Sequence, residues 1–150
     1  MSDYPIQNFH FNVEWGGTKI GFQKVRNLGV GTFYHEFRHG ASPEYSTIKL
    51  PGRQYFDNII LERGVFQSDN EFFDWWKSTS FFQEGNSTGS RFRRDITISI
   101  LNENHEPIIV IKVRNAFPVR LKVSDLDALS NGIEIEMIEL VHEGLIIQND

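Results

Sequence analysis

Segment after segment of this chain alternates apolar and polar side chains with a period of two. Phe9, Phe11, Val13 and Trp15 fall on one side of such a segment, and His10, Asn12 and Glu14 on the other. Successive side chains of an extended chain point to opposite faces, so this is the pattern of a strand with one buried and one wet face. Ile96, Ile98 and Ile100 repeat it, as do Ile109, Ile111 and Val113, and Ile133, Ile135 and Met137 against Glu134 and Glu136. Strands patterned this way must bury one face, and their edges must be paired, covered or closed.

One alternating segment carries a competing signal. The stretch "HEFRH", from His35 to His39, spells H-E-x-x-H, the zinc-protease signature. That signature works on a helix, where residues four apart share a face and can share a metal. Here Gly31 and Gly40 bracket the segment, and Phe33, His35, Phe37 and His39 alternate with Tyr34, Glu36 and Arg38. In a strand, residues four apart lie about 13 Å from each other, too far for joint ligation at roughly 2 Å each. Ser42 and Tyr45 stand where the extended signature has a glycine and a third histidine. A strand is expected here, without a metal site.

Gly16-Gly17 follows the first strand and signals a hairpin. The next strand carries Ile20, Phe22 and Leu28, with Gly29 and Gly31 bending or ending it. "GASPEYSTIKLPGRQ", residues 40–54, reads as a long loop, and "YFDNIILERGVF" as a strand from Tyr55 to Phe66. One helix stands out in "SDNEFFDWWKSTSFF". Ser68 and Glu71 spell a capping box, Asp69 suits the positive end of the dipole, and Phe72, Trp75, Trp76 and Thr79 follow helical spacing. Those aromatics are expected to seal the helix onto a sheet; a platform for a sugar or a partner is the alternative. "EGNSTGS" is a connection, and "NENHEP" a turn between two further strands, the second of which Pro118 is expected to end or edge. "SDLDALSNG" has room for one helical turn. In "IEIEMIELVHEGL" the alternation slips to Ile138 and Leu140, which suggests a bulge. At least six strands and one helix make a mainly β fold, an antiparallel sandwich or barrel with one flanking helix. With no repeat or linker in view, residues 1–150 are expected to form one domain.

The formal net charge is −5, and the densest basic stretch, Arg91, Arg93 and Arg94, ends at Asp95. A nucleic-acid binder needs clustered cations, so no direct nucleic-acid recognition is expected. The chain has no cysteine, which excludes disulfides and thiolate metal sites and fits a reducing compartment. "MSDYPIQNFHF" shows no basic region followed by an apolar run, so no secretory signal is expected. No apolar run approaches the ~20 residues of a membrane span. Phosphate loops, G-x-S-x-G and cysteine nucleophiles are missing from the sequence, and His10, His35, His39, His105 and His142 are scattered along it. Neither catalytic residues nor a cofactor are expected.

Several stretches in order, "VEWGGTKIGF", "KLPGRQYFDNIILERGVF", "DNEFFDWW", "RRDITISIL", "VRNAFPVRL", "SDLDALSNGIEIE" and "IELVHEGL", resemble the tail tube proteins of contractile phage tails and of extracellular contractile injection systems. The resemblance covers nearly the whole chain. It implies a β-barrel-like subunit with one flanking helix, six copies of which form a ring with an inter-subunit β-barrel. Rings of this kind stack into a hollow tube inside a contractile sheath. With four strands per copy, such a barrel has a backbone diameter of about 50 Å.

Residue by residue, Leu50-Pro51-Gly52 is similar to the family's turn after its extended loop. His39, Ser42, Pro43, Glu44, Tyr45, Lys49, Leu50, Pro51 and Gly52 are therefore expected in the ring-stacking loop. Arg94, Asp95 and Thr97 resemble the entry to a barrel strand, and Arg114-Asn115-Ala116-Phe117-Pro118 a characteristic family segment. Asn131 and Glu134 resemble the strand after the aspartate-rich turn. Arg94, Asn115, Glu143, Leu145 and Ile147 are expected at lateral or C-terminal contacts, and Phe72, Trp75 and Trp76 in helix packing. The chain departs from the family at Arg26-Asn27-Leu28, where Ser-Gly-Leu is common, and at the paired Trp75-Trp76 and Phe81-Phe82.

The function so implied is structural. Expected partners are further copies of the chain, a sheath protein, a baseplate hub or spike, tube-terminating proteins, and cargo effectors in the lumen. Such a subunit is made and assembled in the cytoplasm, in a phage-tail-like particle open to extracellular release. Two other readings are a tube-initiator ring paralogue at the baseplate and a stand-alone β-sandwich binding module using the aromatic helix.

Overall fold

Every strand pairing in the structure is antiparallel. The computed structural model describes residues 4–7, 10–15, 18–38, 40, 47–80 and 92–149. Its elements in chain order are β1 (Phe11–Trp15), β2 (Thr18–Ile20), β3 (Lys24–Arg26), β4 (Val30–Phe37), β5 (Ile48–Phe56), β6 (Ile59–Gly64), α1 (Glu71–Ser78), β7 (Arg94–Leu101), β8 (Pro107–Val123), β9 (Ile135–Val141) and β10 (Gly144–Asn149). The fold is mainly β with one helix, as the alternation requires.

Strand β8 runs through two sheets. Its first half lies between β7 and β10, with Val113 opposite both Ile96 and Leu145; its second half pairs with β9, with Leu121 opposite Ile138. One sheet thus runs β2-β1-β7-β8-β10 and the other β3-β6-β9-β8, while β4 and β5 form a separate two-stranded ribbon. Strands β9 and β10 follow the same side of β8, parted only at His142 and Glu143. Opposite that break, Asn115 adopts φ 52°, a left-handed conformation that asparagine tolerates better than most residues. Its N–H donates to Asp95 Oδ1 (3.0 Å) and its Nδ2 to Glu143 Oε2 (2.7 Å), and Glu143 N–H donates to Arg114 O (2.9 Å).

The inward rows of both sheets meet in one core. The first contributes Val13, Trp15, Ile96, Ile98, Ile111, Val113 and Leu145, the second Ile59, Leu61, Ile138 and Leu140. From α1, Phe72 and Trp75 enter this core, their rings 5.6 and 4.7 Å from that of Trp15. Trp75 Nε1 donates to Phe92 O at 2.7 Å, so the one polar atom of that indole is satisfied inside. Arg63 on β6 is buried and ties the second sheet to the helix. It donates to Glu136 Oε1 (2.7 Å) and Asp69 Oδ1 (3.1 Å), lies 3.6 Å from Glu71, and sits 4.0 Å over the Phe72 ring.

Several expectations from the sequence are corrected. Residues 48–54 are not loop but most of β5. Pro51 and Gly52 imitate a turn there, yet a strand with a free edge tolerates both. The strand expected from Tyr55 to Phe66 is interrupted at Asp57, whose N–H donates to Gly29 O (3.1 Å). The stretch from Ile20 to Leu28 divides into β2 and β3. Ser68 does not cap the helix; it holds φ 68°, and Asp69 Oδ1 accepts from Glu71 N–H at 3.2 Å instead. Pro118 is buried within β8, and the register shift lies beside it rather than in β9. β9 keeps one phase: Glu136, Ile138 and Leu140 all face inward, Glu136 because Arg63 lies opposite. No helical turn forms in 124–132. Trp76 is 40% exposed and does not share in the packing of Phe72 and Trp75.

Trp75→Ala should therefore lower the unfolding free energy by about 3–5 kcal/mol through the cavity it leaves. Trp76→Ala should cost under about 1 kcal/mol. Urea unfolding of the two variants, followed by far-UV circular dichroism, measures the difference.

Candidate assembly surfaces

The largest feature outside the core is the β4–β5 ribbon. Phe37 pairs with Ile48 and His35 with Leu50, while Glu36 pairs with Lys49 and Tyr34 with Pro51. Alternation sorts these pairs onto two faces. One face carries Phe33, Phe37, Ile48, Leu50 and Tyr55, from 42% exposed at Tyr55 to 59% at Ile48. The Phe33 and Tyr55 rings lie 4.7 Å apart, tilted at 44°, and the Tyr55 ring lies over Gly31 so closely that a Cβ there would collide with it. The other face is more polar, with Lys49 5.7 Å above the Tyr34 ring. A lone two-stranded ribbon is marginal in water, and five half-exposed apolar side chains on one face call for a partner surface. The base of the ribbon is fixed to the core: His142 Nε2 lies 3.0 Å from Asp57 O, and the His142 and Phe56 rings are 5.4 Å apart.

Strand edges form the second surface. Among the described residues, β2, β3 and β10 each pair on one side only, as does the second half of β8. Each leaves backbone donors and acceptors in line for another chain. Ile146 and Ile147 on β10 are exposed, whereas Leu145 is turned into the core and has little surface to give a neighbour. Asn115 and Glu143 come together, as the hydrogen bond above records, and hold the bend of β8. Arg94 lies 4.7 Å over the Trp75 ring and 5.7 Å over that of Trp15. Burial pushes its pKa below the usual guanidinium value, and Glu71 pulls it the other way.

A third surface is the connection from β8 to β9. Ser124 and Glu134 hydrogen-bond side chain to side chain, and Ile135 N–H donates to Ser124 Oγ at 3.0 Å, so the two ends of the connection are pinned. Asp127 shapes its tip: Oδ1 accepts from Leu129 N–H (3.0 Å) and the carbonyl from Ser130 N–H (3.1 Å). Held this way, Leu126, Leu129 and Ile133 stand 86%, 92% and 81% exposed, and Leu126 and Ile133 help line an open cavity of about 620 Å³.

Of the expected stacking residues, Lys49, Leu50, Pro51 and Gly52 lie on β5. His39, Ser42, Pro43, Glu44 and Tyr45 lie outside the described residues. His35 of "HEFRH" sits in extended β4. Among the described residues, no three His, Asp or Glu side chains converge as a metal ion would need, and no helix is long and apolar enough to cross a membrane. The sequence reading missed the 124–134 surface. The signal was three aliphatic residues in an otherwise acidic and polar turn, where nothing local can bury them.

The described residues fill one core and still leave an apolar ribbon, open strand edges and an aliphatic loop exposed to water. Residues 7–146 match the family model of the T4-like virus tail tube protein gp19, and the chain belongs to that family. Comparison with curated proteins by sequence gives no match. Solved structures agree with the family. The chain is 34% identical, with a TM-score of 0.85, to a chain of the extended sheath-tube complex of PVC, an extracellular contractile injection system; the match covers 99% of this chain and 94% of that one. It is 30% identical, with a TM-score of 0.86, to a chain of the anti-feeding prophage tube-terminating cap, covering 100% and 95%. With Hcp1 from Flavobacterium johnsoniae it shares the fold, at 14% identity and a TM-score of 0.52 over 93% and 95% of the two chains. The protein is a structural tube-type component of contractile injection systems and not an enzyme.

The ribbon's apolar face makes no contribution to the core, which sets a clear expectation. Phe33→Ser with Leu50→Ser should leave the unfolding free energy of the monomer nearly unchanged, within about 1 kcal/mol. Binding of an apolar fluorescent dye to the same monomer should fall.

Proposed function

We propose that copies of this chain close into rings, six to a ring, and that the rings stack into the hollow inner tube of a contractile injection system that delivers cargo. The β4–β5 ribbon carries this reading: it projects from a fixed base with an apolar face that stays half-exposed among the described residues. Membership of the tail tube family supports an assembly of copies that covers it. The open edges of β10 and of the second half of β8 are the lateral joints, where neighbouring copies continue the sheets into a closed inter-subunit barrel. Closure matters because a contact that repeats by rotation alone makes a ring, and one with translation makes a filament. A tube uses both.

In this reading residues 1–150 act as one domain. Lys49, Leu50, Pro51 and Gly52, with His39, Ser42, Pro43, Glu44 and Tyr45, serve ring stacking. Ile147 offers lateral contact, and Asn115, Glu143 and Arg94 hold the strand geometry behind it. A sheath protein surrounds the tube, a baseplate hub or spike starts it, a terminator ends it, and cargo effectors occupy the lumen. Assembly takes place in the cytoplasm, and the finished particle is released. The 34% identity to chains of the sheath-tube complex and of the sheath/tube terminator supports a place in the tube or its end.

Negative-stain microscopy of the purified protein, alone and with the other particle proteins, is the test. Tubes with a central channel are expected. Rings that never stack would assign the chain to an initiator ring at the baseplate, and monomers under every condition would overturn the proposal.

A further inference from the structure

Asn131-Gly132, in the connection from β8 to β9, is the one place in the sequence where glycine follows asparagine. Both residues are exposed and lie outside every strand and helix. No ladder holds the Gly132 amide: its N–H donates to Ser130 Oγ at 3.1 Å, a side-chain partner that water can replace. Among the described residues the Asn131 carboxamide has no hydrogen-bond partner. Other asparagines are engaged. Asn58 Nδ2 donates to Glu139 Oε2, and Asn115 Nδ2 to Glu143 Oε2, while Asn102 Oδ1 accepts from two backbone N–H groups.

A carboxamide next in the chain to a glycine nitrogen can close a five-membered ring with it. Glycine has no Cβ to bar the approach, and its backbone is the most permissive of any residue. A helix or strand prevents the closure by fixing the backbone; an exposed turn leaves it free.

We propose that Asn131 is a site of spontaneous backbone rearrangement through a succinimide. Gly132 N gives its proton to a base in solvent and attacks Asn131 Cγ. The Cγ–Nδ2 bond breaks, and Nδ2 leaves as ammonia with a proton taken from solvent. One water then opens the ring. Opening at Cγ leaves aspartate. Opening at the main-chain carbonyl leaves isoaspartate, in which the chain runs through Cγ and is longer by one methylene. The balance is one water taken up and one ammonia released, with no oxidant or reductant.

The setting gives this change an effect. The ends of the connection are pinned, by Ser124 to Glu134 and Ile135 and by Val65 N–H donating to Glu134 O at 2.9 Å. A longer backbone is therefore absorbed between them, where Leu129 and Ile133 flank the altered bond. Either product also adds a carboxylate to a segment, 124–134, that already carries Asp125, Asp127 and Glu134 and no cation, and like charges at short range repel. Shape and charge of the aliphatic surface change while the core stays as it was.

Full-length folded protein is held at mildly alkaline pH, sampled over time, digested and read by mass spectrometry. The peptide with Asn131 should exchange amide for acid severalfold faster than any other asparagine peptide. It should give two products of equal mass, one of them labelled by an isoaspartate-specific methyltransferase. Gly132→Ala should slow the exchange severalfold; a Cβ there meets Ser130 Oγ at 3.3 Å and no backbone atom, so the fold is kept. If alanine disturbs the loop, Asn131→Gln, whose carboxamide is one carbon further out, should remove the fast phase. An Asn131 peptide no faster than the rest would overturn the proposal, as would exchange that starts only after denaturation. Aspartate without isoaspartate would mean direct hydrolysis and would overturn it too.

Discussion

The backbone of β8 sets the terms for the rest of the molecule. Buried backbone donors and acceptors must be paired, and this strand of 17 residues has to satisfy them in two different sheets. Through its first half it has partners on both sides; through its second it has only β9. The bend at Asn115 makes the change of sheet possible, because the side chains of Asp95 and Glu143 take up hydrogen bonds that the ladders drop there. The open edge of the second half, the pinned loop that follows it, and the return of β9 along the same side are all consequences of that course.

The helix is held by a different device. Arg63 brings a charge into the core and meets Glu136 from its own sheet and Asp69 and Glu71 from the helix start. Removing one partner from such a group usually costs more than the group contributes, because a buried charge is left alone. What the cluster provides is position: a guanidinium with a fixed donor fork over the Phe72 ring admits few arrangements of helix against sheet. Trp75 and Phe72 then close the end of the core next to Trp15. The buried face of the aromatic helix is thus a plug that takes Trp75, while Trp76 and Phe73 stay exposed on its other face.

Much of this architecture was legible in the sequence. Period-two alternation found β1, β7, β8 and β9, and it placed His35 in a strand despite the spelling of a metalloprotease. The failures share a cause: residues whose local preference is overruled by tertiary structure. Pro51 and Gly52 read as a turn but lie in a strand with a free edge. Pro118 read as an end or an edge; it does not end β8, but it lies where the strand loses β7 and keeps only β9 beside it. Glu136 made the alternation of β9 look broken, because a carboxylate on an inward row makes sense only with Arg63 opposite, 73 residues away. The resemblance to tail tube proteins carried the family, yet it treated residues 40–52 as the contact and left the 124–134 connection as a strand entry. The signal there was compositional, three aliphatic residues in a polar and acidic turn, and periodicity does not register it.

Ribbon and loop leave from opposite ends of β6, so the two poles of the molecule are unlike: aromatic and aliphatic side chains on a strand pair at one, aliphatic side chains on a pinned turn at the other. An object with two unlike poles has a direction, and a surface shaped for one pole does not fit the other.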